Sequence, residues 1–79
     1  MTEELVGYIS GNRKREQIIQ ALSNGALEMS KIAKMARMPK RLAIKLLEDL
    51  ERKELVKADG ETYSLTETGI EIENRIRGM

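Results

Sequence analysis

Six basic residues and no acidic one fall between Lys31 and Lys45: Lys31, Lys34, Arg37, Lys40, Arg41 and Lys45. Their chemistry is the gripping of oxyanions. An arginine presents a planar fork that holds an oxyanion with two hydrogen bonds, and a lysine presents a mobile point charge. Arg13, Lys14 and Arg15 form a second basic cluster, and Lys57 lies further on. The whole chain carries a net charge of only +1, but residues 11–47 hold nine basic and two acidic residues, a net +7. The first ten residues contribute −2 and residues 48–79 contribute −4. A molecule polarised in this way can hold a polyanion on one face while staying near neutral overall. On charge alone, a plain solvated helix surface explains the same residues equally well.

Other chemistry is poorly supplied. The chain has no Cys and no His, which removes disulfides, Cys-His zinc sites, thiol nucleophiles and the usual general base. The carboxylates form no recognisable acid/base pair, and GNRKRE lacks the spacing of a phosphate loop. Glu71, Glu73 and their neighbours read as solvated helix surface. An enzyme is therefore not expected, and neither metal nor cofactor is called for. Two Tyr, no Phe and no Trp leave no aromatic platform for stacking bases. No apolar run approaches the roughly 18 residues of a membrane span. The N-terminal MTEELVGYIS is acidic where a signal peptide is basic, so a cytoplasmic location is expected. Seventy-nine residues make a single domain over 1–79, with an aliphatic core of modest size.

Helices must position these groups. Ile18, Ile19 and Leu22 form one stripe of a helix from Asn12 or Arg13 to Ser23, stopped by Asn24-Gly25. Ala26-Leu27-Glu28 is short and is expected to pair as a minor strand with a later hairpin. A second helix starts at Ser30 as N-cap, turns Ile32, Ala33 and Ala36 inward, and is ended by Pro39. Pro39 suits the first position of a third helix reaching about Lys53. There Ala43, Leu47 and Leu50, widened by Leu42 and Leu46, face inward, while Arg41, Lys45, Glu48 and Arg52 form the opposite row. Glu48 and Arg52 are spaced to pair. Residues 55–58 and 62–65 flank Asp59-Gly60, a strong hairpin signal. Thr66 caps a last helix carrying Ile70, Ile72 and Ile76, and residues 2–9 suit a short helix at the other end.

Three stretches in this order, SKIAKMARM, LLEDLERKELV and YSLTETG, carry a resemblance over about residues 12–77. The chain resembles the small winged helix-turn-helix transcriptional regulators of the MarR-like and ArsR-like kind, including many small archaeal ones. The resemblance implies an α+β, mostly α fold: a three-helix core, a two- or three-stranded β wing and a C-terminal helix. It also implies sequence-specific binding of double-stranded DNA in transcriptional regulation, with the helix over about 39–53 in the major groove. Carried over by position, Lys40, Arg41, Ile44 and Lys45 face that groove. Lys31 and Lys34 lie across the phosphate backbone, Arg13 and Arg15 supply a second phosphate contact, and Lys57 is the one basic residue near the wing. The residue chemistry agrees: arginine bonds guanine O6 and N7 together, lysine takes phosphate or guanine, and an isoleucine touches a thymine methyl. Packing against the second helix is the plainer role for Ile44.

Some positions depart from the family pattern. The wing tip, Asp59-Gly60-Glu61, is acidic where such wings are usually basic. Glu54 stands where a glycine often ends the recognition helix, so the helix is expected to run on or to close differently there. These departures, with apolar Leu42 and Ile44 near the reading face, also suit the alternative of a winged-helix protein–protein interaction module that binds no DNA. A single copy reads too few base pairs to be selective. A homodimer is therefore expected, paired through terminal segments: Leu5, Val6, Tyr8 and Ile9 at one end, Ile70, Ile72 and Ile76 at the other.

Overall fold

The computed structural model describes residues 2–78, apart from the Thr2 side chain. Along the chain run α1 (Thr2–Ser10), α2 (Arg13–Ala21), β1 (Leu27–Glu28), α3 (Met29–Met35), α4 (Lys40–Arg52), β2 (Val56–Asp59), β3 (Thr62–Leu65) and α5 (Glu67–Arg77). The strands form one antiparallel sheet in the order β1-β3-β2. Leu27 lies opposite Tyr63, and Val56 opposite Leu65. The expected minor strand thus pairs with the hairpin, and the architecture is the winged helix.

The core is aliphatic. Ile9, Ile18, Ile32, Leu47, Leu50, Leu55 and Ile72 are wholly buried and belong to one cluster. They come from α1, α2, α3, α4, the turn just before β2 and α5, so every long helix contributes. This allocation uses most of the apolar surface expected to pair two copies. Val6, Ile9 and Ile72 are core, and Leu5, Tyr8 and Ile76 pack half-buried against it. Only Ile70 stays free, 49% exposed on α5.

Local signals placed the elements within a few residues, and the differences have clear causes. α2 stops at Ala21 because Leu22 caps it and the Ser23 N–H turns back to Gln20 O at 3.1 Å. α3 begins at Met29, with Glu28 at its N-cap and no side-chain cap there. Ser30 is therefore inside the helix and not its cap. Nor does Pro39 end α3. The helix closes earlier, through Arg37 in the left-handed region at φ 56°. The Arg37 N–H donates to Lys34 O at 3.2 Å and the Met38 N–H to Ala33 O at 3.1 Å. These two bonds define a Schellman closure, usually built on glycine. Pro39 is the N-cap of α4, in extended conformation.

α4 closes by the same motif. Glu54 takes φ 62°, its N–H donates to Glu51 O at 2.9 Å, and the Leu55 N–H donates to Leu50 O at 3.0 Å. Glu54 therefore adopts the glycine conformation itself, and the different closure expected there does not occur. Arg52 pairs with Asp49, one turn back, rather than with Glu48. The hairpin connection is Gly60-Glu61, one residue later than expected, since Asp59 still pairs with Thr62. Positive φ falls on Gly60 alone, the φ pattern of a type II′ turn.

Candidate nucleic-acid interface

α4 is held as a rigid lever by its C-terminal end. Thr66 Oγ1 donates to Glu54 O at 2.7 Å and accepts from the Gly69 N–H at 3.0 Å. The Thr66 N–H donates to Leu55 O at 3.1 Å. Gly69 is buried where a Cβ would collide with the Leu55 carbonyl oxygen. The L-T-x-x-G pattern of the sequence is thus a clasp joining the start of α5 to the end of α4.

The opposite end of α4 projects its polar row. Ala43, Leu46, Leu47 and Leu50 point into the core, so a 3.6-residue period turns Arg41 and Lys45 directly outward. Lys40 and Ile44 lie on the flank toward the wing, lining a groove of about 370 Å³ together with Glu28, Met29, Ser30, Gly60, Glu61 and Tyr63. Ile44 is 38% exposed, so it does not pack as a buried flank residue. Leu42 is half-buried and, with Pro39, Arg41 and Lys45, lines a shallow cleft on the other flank. Lys31 and Lys34 on α3 are exposed, as is Lys57 on β2, opposite Ser64.

The first turns of α3 and α4 contain no acid. Lys40 and Arg41 open α4, so cations stand at the positive end of its dipole and cost some local stability. In return, the backbone N–H groups at that end and the side chains above them all favour an anion.

The second basic cluster divides. Arg13 and Lys14 are exposed. Arg15 is engaged: its Nη1 donates to Tyr8 O at 3.1 Å, and its guanidinium stacks on the Tyr8 ring at 3.8 Å from the centroid. Lys53 Nζ approaches the same ring at 5.1 Å. Arg15 ties α1 to α2 through a cation–π contact, and its side chain is partly buried away from the row on α4. Arg37 was given no contact of its own in the sequence reading, and it is exposed in the turn between α3 and α4. Its place within the basic run was the available signal.

The carboxylates of α1 and α5 are differently placed. Glu73 is 7% exposed, buried rather than solvated. It accepts from Arg77 at 3.0 Å beside a cleft of about 260 Å³ between α2 and α5. Glu3 of α1 meets Arg75 of α5 at 3.6 Å. Its own backbone N–H and the nearby positive charges hold its carboxyl below the usual carboxylate range. Among the described residues no group of three or more His, Cys, Asp or Glu is arranged to hold a metal ion. Among the described residues, no helix is long and apolar enough to cross a membrane.

A helix pair joined by a tight turn, with a β hairpin beside its second helix, defines a winged-helix protein. The winged helix-turn-helix family model matches residues 14–79, and the chain belongs to that family. Two solved structures share the fold. Quinone-bound YodB from B. subtilis superposes with a TM-score of 0.86 at 26% identity, covering 98% of this chain and 89% of that one. Ligand-free NadR superposes with a TM-score of 0.83 at 22% identity, and this chain spans 60% of its length. A comparison with curated protein sequences gives no match.

Proposed function

We propose that the protein is a sequence-specific duplex-DNA-binding transcriptional regulator of the MarR-like or ArsR-like type, a single winged-helix domain over 1–79 acting in the cytoplasm. The observation that carries this reading is the exposed basic start of α4, with Arg41 and Lys45 turned outward and Lys40 on the flank toward the wing, on a helix anchored at its other end. In this reading α4 enters the major groove. Arg41 and Lys45 address base edges, with Ile44 placed for a thymine methyl. Lys31 and Lys34 take phosphates from α3, and Arg13 and Lys57 extend the phosphate track. Arg15 is assigned to holding α1 and makes no contact with the duplex.

The reading is tested by fluorescence anisotropy on duplex DNA at two salt concentrations. Neutralising about five phosphates gives a slope of log K on log salt of roughly −4 to −5. Lys31→Ala weakens all sequences alike. Arg41→Ala costs about 1–3 kcal/mol on a preferred site and far less on random DNA. Absence of binding at ~50 mM salt would leave the protein-interaction module. Exposed Ile44 and the apolar cleft beside Leu42 favour that second reading.

Selectivity requires two half-sites about 34 Å apart, so the reading includes a homodimer through the terminal segments, with Ile70 of α5 as its apolar anchor. Light scattering checks this: a mass that stays near 9.0 kDa at high concentration removes the dimer.

A further inference from the structure

The wing and α4 face each other across one groove, and the two walls differ in charge. Lys40 stands on the helix side, Glu61 stands on the wing side, and exposed Glu28 of β1 also lines the groove. The hairpin Val56–Leu65 holds one basic residue, Lys57, against two acidic ones, Asp59 and Glu61. Both carboxylates are at the exposed tip, and among the described residues neither is ion-paired. The turn does not use them. Its bond from Thr62 Oγ1, at 2.9 Å, goes to the backbone carbonyl of Asp59, and its positive φ falls on Gly60. The carboxylates therefore have no structural task in the fold.

Their position gives them an electrostatic one. Lys40 and Glu61 line the same groove, and Asp59 adjoins Gly60, which also lines it. A phosphate drawn onto Lys40 therefore enters the field of the wing-tip carboxylates, which salt screens over ~8–10 Å near physiological ionic strength.

We propose that the acidic wing tip, Asp59 and Glu61, is an electrostatic limiter that holds down affinity for the DNA backbone on the face α4 presents. The inference rests on the DNA-binding reading above. The wing repels the phosphate that Lys40 attracts, so binding energy is kept for contacts that α4 makes in the groove. Because the term is a repulsion between charges in water, it acts on every sequence alike and fades as salt rises.

The experiment compares the wild type with the Asp59→Asn, Glu61→Gln double variant on a random-sequence duplex, by anisotropy, from ~50 to ~200 mM salt. The variant binds about three- to tenfold tighter at the lowest salt, and the ratio falls toward one as salt increases. A control variant, Glu67→Gln on α5, leaves the affinity unchanged. Because the expected result is a gain, a folding defect cannot imitate it. If the wild type binds and the double variant binds equally well or more weakly, the limiter is overturned, and weaker binding makes the wing carboxylates DNA contacts instead. If neither protein binds, the DNA reading itself has failed and the limiter fails with it.

Discussion

The two ends of α4 are built on opposite principles. The C-terminal end is over-determined. A two-bond closure through Glu54, the Thr66 hydroxyl on the Glu54 carbonyl and the close approach of Gly69 to Leu55 all act on the same few residues. The N-terminal end is bare. Pro39 offers no side-chain cap, and the first turn carries Lys40 and Arg41 where the dipole favours acids. Stability is concentrated at the end away from the proposed DNA contacts, and groups that cost local stability gather at the end to which that proposal assigns them. A helix anchored at one end can carry an unfavourable charge row at the other without fraying the fold.

That contrast can be broken most directly at Gly69. Gly69→Ala forces a Cβ against a backbone carbonyl that cannot move alone, so α5 must shift. The expected loss is about 3 kcal/mol, at the upper end of overpacking costs, read by urea denaturation. A loss below about 1 kcal/mol would show that the clasp is loose. Thr66→Ala removes a cap bond and the bond to the α4 closure. It costs about 1–2 kcal/mol in the same assay.

The Glu54 closure carries its own cost, because a left-handed non-glycine residue is disfavoured by about 1–2 kcal/mol. Glu54→Gly should stabilise the protein by about 1 kcal/mol, after allowance for the greater freedom of glycine in the unfolded chain. Its backbone contacts to Thr66 stay as they are. A destabilisation would mean that the Glu54 side chain holds more than the structure shows. The smallest effect belongs to the bare end. Lys40→Gln should raise stability by about 0.3–0.5 kcal/mol by relieving the dipole, while weakening DNA binding several-fold. Opposite signs in the two assays would sharpen the contrast, and a loss of stability would contradict it.

Much of the clasp was legible in residue order. Thr66 read as a cap and Gly69 fell in a recognisable pattern, but the reason for Gly69 was hidden. Its partner, Leu55, lies fourteen positions away, and only packing brings the two backbones together. Arg15 shows the converse. Its charge and helix position suggested an anion contact, and the tertiary fold gave its guanidinium to Tyr8. Glu73 also looked solvated by composition, until α2 and α5 closed around it. Burial of a charged residue is set by its neighbours in space, and a local pattern does not carry them.

By itself the sequence determined the elements and their order, because hydrophobic period, turn residues and the Thr66 cap are local properties. It also determined the polarity of charge along the chain. The tertiary structure alone decided which apolar residues the core consumes, leaving Ile70 of the terminal set exposed. It alone decided that Arg37 and Glu54 adopt the left-handed turn without glycine, since hydrogen bonds and burial at Met38 and Leu55 outweigh a backbone cost of about 1–2 kcal/mol. And it alone set acidic Glu61 across a groove from basic Lys40, because the distance between a wing and a helix is a property of packing and not of spacing along the chain.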